Sequence, residues 1–241
     1  IKGNQPVFET ANLSANTHQS YSHDMINNVI EITSDGDIVV ALHSSAPDTP
    51  TDYMPLVPAA NKIYSAGHSN YGMLTVYGGT SGVTIREECT DGTINNRTSD
   101  IYGKVRPGIG TSSLYNGHSC HYTARPEDNS GVQYKIGGAS YADSNGGDST
   151  SYISSNLFHT EAYIPFDMDY YKVISDQTAT CTYTPYGGSS TTFTLEGANG
   201  IYDYHSGLNT FQKGVFSCNG TPFMLIVQEE STDDETNVIV L

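Results

Sequence analysis

The chain carries the same series of short motifs twice, and this repetition limits the folds open to it. From Ser44 to Ile85 the series is Ser-Ser, Tyr-x-Pro, Lys-Ile-Tyr-Ser, Tyr-Gly-Gly-Thr-Ser and Val-Thr-Ile. From Ser154 to Leu195, about 110 residues later, it is Ser-Ser, Tyr-x-Pro, Lys-Val-Ile-Ser, Tyr-Gly-Gly-Ser-Ser and Phe-Thr-Leu. Matched order and spacing, with a slip of one residue, indicate duplication of a domain-sized unit of about 100 residues.

A third copy of one motif sets the boundaries of the repeat. Ser34-Asp-Gly-Asp37 leads into the apolar run 38–42, just as Ser217-Cys-Asn-Gly-Thr-Pro222 leads into the apolar run 223–227. Each is a turn followed by a buried strand, and we interpret each strand as the closing strand of a module. The sequence therefore predicts an N-terminal arm with the closing strands of a partial module at 1–60, a first module at 61–140 and a second module at 141–241.

The composition predicts an all-β fold. The chain contains 24 Gly and 18 Tyr, it is rich in Ser and Thr, and no window shows a capped helical period of apolar residues. Its apolar runs are short and separated by Gly, Asn, Asp and Pro, which is typical of sandwich or barrel strands. We expect tandem β-sandwich modules, Ig-like or jelly-roll-like, stapled by disulfides.

Four cysteines fall two to each predicted module. We favour the pairs Cys89 with Cys120 and Cys181 with Cys218, although four cysteines permit three pairings and buried free thiols are the alternative. Each disulfide would contribute about 3–4 kcal/mol on the chain-entropy model. Oxidised cysteines indicate an extracellular or virion setting.

The net charge of −16 argues against a nucleic-acid partner and against anionic lipid surfaces. No apolar run approaches 18 residues, so we expect no membrane insertion. Acidic turns are candidate Ca²⁺ sites, and calcium is the one cofactor that the sequence suggests. None has the EF-hand spacing, and solvated β-turns are the interpretation we favour. The candidate calcium ligands are Asp35, Asp37, Asp167 and Asp169.

No catalytic motif is present, and we expect no enzyme activity. The cluster His118-Ser-Cys-His121 could bind a metal, but its cysteine is already assigned to a disulfide, and exposed histidines are the interpretation we favour. Asp167 and Asp169 alternate on a predicted strand, as a carboxylate pair of a hydrolase would. A solvated or salt-bridged strand end explains them equally well, and we prefer it.

Tyrosine, serine, glycine and asparagine dominate adaptable binding surfaces, because a tyrosine ring offers a large amphipathic area at low entropic cost. Some of the 18 tyrosines are therefore expected to serve as platforms for sugar rings or for a neighbouring subunit. The loop candidates are Tyr102, Tyr115, Tyr141, Tyr202 and Tyr204. Three sequons for N-glycosylation occur, at Asn12, Asn96 and Asn219.

Two stretches carry a resemblance to known surface proteins. Ile32-Thr-Ser-Asp-Gly-Asp-Ile-Val-Val-Ala-Leu42 followed by Asp52-Tyr-Met-Pro-Leu-Val-Pro58 resembles a repeated strand and loop of IgGFc-binding-protein N-terminal-like surface domains. Asn219-Gly-Thr-Pro-Phe-Met-Leu-Ile-Val227 followed by Asp233-Asp-Glu-Thr-Asn237 is similar to the ends of surface and appendage proteins of marine bacteria and tailed phages. The resemblance implies β-sandwich repeats of an extracellular adhesive or structural protein, with no catalytic residue.

The function expected from these patterns is that of a structural subunit of an extracellular or virion assembly, such as a filament, a fibre or a surface layer. Its N-terminal segment, residues 1–33, would pair with an exposed strand edge of another copy, since an unpaired edge is a template for a further strand. The expected apolar anchors are Val7, Phe8, Met25 and Ile26. The alternative is a glycan-binding adhesin that uses the tyrosine-rich loops, and a third possibility is a β-sandwich hydrolase.

Overall fold

The computed structural model describes residues 12–20, 32–43, 53–66, 73–76, 81–105, 118–126, 134–141, 149–207, 211–230 and 235–240. These residues are largely β-strands, with one turn of 3-10 helix at Ser155–Leu157. All strand pairs in the sheets are antiparallel. The predicted all-β fold is confirmed.

The strands fall into a hairpin and two modules. The N-terminal hairpin consists of β1 (Val40–His43) and β2 (Tyr53–Leu56). The first module consists of β3 (Lys62–Ser65), β4 (Met73–Val76), β5 (Val83–Cys89), β6 (Ile94–Thr98), β7 (Lys104–Val105), β8 (Cys120–Pro126), β9 (Ile136–Tyr141) and β10 (Ser149–Ser151). The second module consists of β11 (Glu161–Ile164), β12 (Tyr170–Ser175), β13 (Thr180–Pro185), β14 (Thr191–Thr194), β15 (Glu196–Ala198), β16 (Ile201–Ser206), β17 (Gly214–Ser217), β18 (Met224–Glu230) and β19 (Glu235–Val240).

The two modules have the same topology. The first contains the sheets β3-β8-β5-β6 and β10-β9-β4-β7. The second contains β11-β17-β13-β14 and β15-β16-β12-β18-β19, in which β16 takes the place of β7 and β15 adds one strand at the edge. Each module therefore has two sheets, and the chain crosses between them several times, the arrangement of a β-sandwich with Greek-key connections.

Each module has its own hydrophobic core, formed by side chains from both of its sheets. In the second module the Tyr171 ring lies at the centre and contacts five other aromatic rings. Residues on β5 and β13 alternate between buried and more exposed positions, as expected for strands with one face on a core. Short alternating runs in the sequence thus become the inner faces of two sandwiches.

Both favoured disulfides are present. Cys89 and Cys120 lie directly opposite each other on β5 and β8, with Cα atoms 4.0 Å apart. Cys181 on β13 joins Cys218, which directly follows β17, with the same Cα separation. Both bonds cross-link corresponding neighbouring strands of the two modules, and all four cysteines are buried. The disulfides place the folding of this chain in an oxidising environment.

The shared topology aligns the two modules differently from the sequence repeat. The sequence repeat matched the Lys62 segment with the Lys172 segment, whereas the topology matches β3 with β11 and β4 with β12. The predicted division after residue 140 falls inside β9, which pairs with β10. The connection between the modules is instead the segment 152–160. Short alternating strands resemble one another whichever sheet they join, and only their pairing separates them.

The N-terminal hairpin fits the same plan. β1 pairs with β2 as β9 pairs with β10 and as β18 pairs with β19, which are the closing hairpins of the two modules. In addition, β2 contacts β10, and β10 contacts β19. The hairpin therefore holds the position of the last two strands of a module.

Candidate functional site

The two modules meet in an apolar interface on the outer face of a sheet in the second module. All six residues of β12 are buried. Tyr171 and Val173 face the module core, whereas Lys172 and Ile174 face the first module. Tyr64 and Ala66 of the first module, with side chains from the connection, cover this outer face. The second module contributes Ile174, Ile201, Met224 and Ile226. Burial of this much apolar surface makes the contact a stable joint.

A buried ion pair lies within this interface. Lys172 is 1% exposed, and its Nζ lies 3.6 Å from Asp203 Oδ2. The Lys172 ammonium also donates a hydrogen bond to the carbonyl oxygen of Ala66, across the joint. Asp203 in turn accepts hydrogen bonds from the backbone N–H (3.2 Å) and the hydroxyl (2.6 Å) of Ser119, and from the Thr90 hydroxyl at 3.4 Å. Both charged side chains therefore belong to the second module, and each forms hydrogen bonds with groups of the first.

The modules also approach closely through their backbones near Thr90. Asn199 Nδ2 donates a hydrogen bond of 3.2 Å to the carbonyl oxygen of Cys89. A Cβ at Gly197 would lie 3.1 Å from Thr90 Cγ2 and 2.3 Å from the Ile201 carbonyl oxygen, so only glycine permits this contact.

Tyr64 fixes the connection to the edge of the first module. Its backbone N–H and carbonyl exchange two hydrogen bonds with Ile153, at 2.8 and 3.1 Å, on the outer edge of β3. Its ring packs against Phe158 and, edge to face, against His121. Burial raises the pKa of the Tyr64 phenol well above its usual value, and the nearby Asp176 adds to the shift. The connection thus extends the sheet by one residue pair before it enters the second module.

The ion pair has a consequence for stability at alkaline pH. Burial lowers the pKa of Lys172 to about 8, an effect that Asp203 opposes only in part. In the unfolded chain the lysine keeps its usual pKa of about 10.4. Between these values the unfolded chain binds more protons than the folded one, so the contribution of Lys172 to stability rises with pH.

We therefore expect the free energy of unfolding of the wild type to rise, relative to a Lys172→Met variant, between about pH 7 and pH 10. The gain is expected to approach about 1 kcal/mol per pH unit near the middle of this range. Met occupies a similar volume and does not titrate, so the comparison isolates the lysine. Urea denaturation of both proteins at four pH values measures it, and a difference that is independent of pH would contradict the assignment.

The two histidines of the cluster 118–121 lie in different environments. Cys120 is bonded to Cys89 and cannot serve as a metal ligand. His118 is exposed and lies 3.6 Å from an Asp91 carboxylate oxygen, whereas His121 is buried, with Nε2 3.1 Å from Glu88 Oε2. The expectation of exposed histidines thus holds for His118 and is wrong for His121. Burial, with Lys62 nearby, lowers the pKa of His121.

Two of the five candidate tyrosines are partly buried against the core of the second module. Tyr202 and Tyr204 were expected in loops, but both lie in β16 and pack against the second core, and the Tyr204 ring stacks on Phe193 at 4.4 Å. Tyr102 is half-buried in the turn before β7, with the Lys104 ammonium 5.8 Å from its ring centre. Tyr141 ends β9, and Tyr115 lies outside the described residues.

The candidate calcium ligands do not come together. Asp35 and Asp37 are exposed around a turn, and Asp167 accepts a hydrogen bond of 3.0 Å from the Lys213 backbone N–H. Asp169 is half-buried and has interactions of its own. Within the described parts of the chain, no group of three or more His, Cys, Asp or Glu side chains could hold a metal ion. The solvated-turn interpretation remains the one we favour.

The remaining candidates are surface positions or lie outside the description. Asn12, Asn96 and Asn219 are exposed, Asn96 on β6 and Asn219 in the turn after β17. The four predicted assembly anchors, Val7, Phe8, Met25 and Ile26, lie outside the described residues, so their role stays a prediction.

Sequence reasoning missed the residues that form the joint. Lys172 was visible as a charge inside the apolar run 170–174, and a charge in such a run indicates a buried partner. Two exposed tyrosines, Tyr163 and Tyr186, were also missed; they are 66% and 77% exposed. Both belong to motifs of the sequence repeat, and a repeated motif gives no information on whether its tyrosine is exposed.

The described part of the chain contains no helix long and apolar enough to cross a membrane. Comparison with known protein families, with curated protein sequences and with solved structures found no match to this chain.

Proposed function

We propose that this chain is a structural subunit of an extracellular or virion assembly, a filament, fibre or surface layer, and that it assembles by strand-edge pairing through its N-terminal segment. One observation carries the proposal: the chain already joins its own modules in this way. Ile153 of the connection pairs with the outer edge of β3 at Tyr64 through two backbone hydrogen bonds. An edge strand that accepts one added segment is a template for another.

The rest of the molecule suits a mechanical role. Each sandwich is cross-linked by a disulfide, and the modules are held together by a buried apolar cluster with an ion pair at its side. Asp167 accepts a hydrogen bond from the Lys213 backbone N–H, as a residue that fixes a turn does. These features support a structural subunit.

The glycan-binding alternative has lost part of its basis, since Tyr202 and Tyr204 pack against the core. A shallow depression of about 450 Å³ does lie on the outer face of the sheet β11-β17-β13-β14, lined mainly by hydroxyl groups. Its lining residues are Glu161, Thr180, Thr182, Thr184, Val215, Ser217 and Asn219. It is the surface on which a sugar would be sought if assembly were not observed.

Deletion of residues 1–28 tests the proposal. We expect the full chain to form particles larger than a monomer and the shortened chain to remain monomeric, because the shortened chain lacks the segment that pairs with a neighbour. Light scattering coupled to size exclusion measures the mass, and urea denaturation of both chains confirms that the modules remain folded. Assembly that survives the deletion unchanged would show that the segment packs on its own chain.

A further inference from the structure

The common topology allows residues of the two modules to be matched by their hydrogen bonds. Before the first strand of the first module, Ala60 and Ile136 exchange two backbone hydrogen bonds, at 2.9 and 2.8 Å. Before the first strand of the second, His159 and Phe223 exchange two as well, at 3.0 and 2.8 Å. In both modules the first strand begins two residues later, so β3 and β11 match residue by residue.

This alignment matches Tyr64 with Tyr163, the third residue of each strand. A second pair of hydrogen bonds extends the match to the end of the sandwich. The Thr90 N–H donates to the Ser119 carbonyl oxygen at 2.9 Å, and the Tyr186 N–H donates to the Lys213 carbonyl oxygen at the same distance. Tyr186 therefore corresponds to Thr90, and Lys213 corresponds to Ser119.

In the first module the residues at these three positions, Tyr64, Thr90 and Ser119, contact the second module. Tyr64 is fully buried in the interface, and Thr90 and Ser119 donate hydrogen bonds to Asp203 of the second module. The end of one sandwich thus sits on the outer sheet face of the sandwich that follows it.

In the second module the matching end is exposed. Tyr163 and Tyr186 are 66% and 77% exposed, and the nearby Phe166 is 39% exposed. The Lys213 ammonium lies 5.2 Å from the centre of the Tyr186 ring, a cation–π contact that holds this ring at the surface. We call Tyr163, Phe166, Tyr186 and Lys213 the far end. Exposed tyrosines are typical of interface anchors, because a tyrosine ring buries a large area at low entropic cost.

We infer that the far end docks on a second copy of this chain, on the outer face of its sheet β10-β9-β4-β7. This is the sheet that corresponds to the one on which the first module already sits. The centre of the face is Thr75, because its neighbours Leu74 and Val76 point into the core. The hydrogen bonds described above match Ile136 with Phe223, and hence Gly137 with Met224. Thr75 lies opposite Gly137 as Ile174 lies opposite Met224, which places Thr75 where the joint has Ile174. The inference rests on the proposed function and names the partner and both surfaces.

Such a contact joins two different surfaces, so it can be repeated without limit and generates an open chain of copies. The N-terminal hairpin lies beside the receiving face. Since β2 contacts β10 as β10 contacts β19, the hairpin holds the place that the closing strands of a docking module would take. Docking therefore requires β1 and β2 to move aside, and the N-terminal segment then pairs with the copy that has docked, so that each of the two contacts needs the other.

Two complementary variants test the inference. Tyr163→Arg/Tyr186→Arg blocks the far end, and Thr75→Arg blocks the receiving face. We expect wild type to form species that grow with concentration and each variant alone to be a monomer. An equimolar mixture of the two is expected to form dimers and nothing larger, because only one functional pair of surfaces remains. Sedimentation velocity resolves these species. Ile94→Arg, at an exposed apolar position on β6, is the matched control and should associate like wild type.

Each other outcome has a definite meaning. Association unchanged in both variants, or a mixture that stays monomeric, overturns the inference while the assembly proposed above still stands. A wild type that is monomeric at every concentration overturns the proposed function as well. Tyr163→Ser/Tyr186→Ser and Thr75→Glu repeat the test, and thermal unfolding of each variant confirms that loss of association does not come from loss of the fold.

Discussion

An Asp203→Ala variant is expected to lose about 3–5 kcal/mol of its free energy of unfolding, the loss typical of a buried ion pair deprived of one partner. Lys172 would keep its hydrogen bond to the Ala66 carbonyl oxygen but would lose the Asp203 carboxylate that lies 3.6 Å from its Nζ. The donors on Ser119 and Thr90 would lose their acceptor as well. Urea denaturation followed by tyrosine fluorescence measures the loss, since the chain has no Trp.

The matched control removes both charges together. A Lys172→Met/Asp203→Leu variant is expected to differ from wild type by less than the single variant does, because well-packed apolar residues can replace a buried pair at little cost. The two variants separate the cost of an orphaned charge from the value of the pair. If the double variant is as unstable as Asp203→Ala, the hydrogen bonds across the joint matter more than the charge.

Loss of the second disulfide has an effect of similar size. Cys181→Ala/Cys218→Ala is expected to reduce the free energy of unfolding by about 4 kcal/mol, because the bond closes a loop of 37 residues in the unfolded chain. Both cysteines are buried in the core beside the aromatic rings around Tyr171, so their removal also loosens the packing there. The measurement is urea denaturation without reductant.

The first disulfide supplies the comparison. Its loop of 31 residues is nearly as long, so Cys89→Ala/Cys120→Ala should lose almost the same free energy, but from the first module. Limited proteolysis with identification of the cleavage sites tells which module opens in each variant. A loss below about 1 kcal/mol in either variant would mean that the bond constrains the unfolded chain far less than its loop length implies.

The fold class could be predicted because its sequence signals are local. The disulfides could be predicted because only a few cysteine pairings are possible. Alternating apolar runs determine which faces are buried, and two cysteines in each unit leave few pairings. The strand alignment could not be read in the same way. The Lys62 and Lys172 segments share a pattern, yet they join different sheets, and long-range pairing decides the sheet.

The candidate site was less accessible to sequence reasoning for the same physical reason. The partner of Lys172 is Asp203, which lies one strand away in the sheet but far along the chain. Tyr202 and Tyr204 follow a glycine- and asparagine-rich turn, which suggested a loop, but their alternation with Asp203 turns their rings into the core. Period-two alternation was the stronger signal at this point, and turn composition masked it.

The carbonyl oxygen of Cys89 accepts a hydrogen bond from the second module, while its sulfur is bonded to Cys120 on the neighbouring strand. Tension that pulls the modules apart therefore acts on β5 and β8, which the Cys89–Cys120 disulfide links covalently. Since non-covalent contacts yield before a covalent bond does, we expect the joint to open before the neighbouring strands separate. We therefore expect the sandwiches to keep their shape under tension.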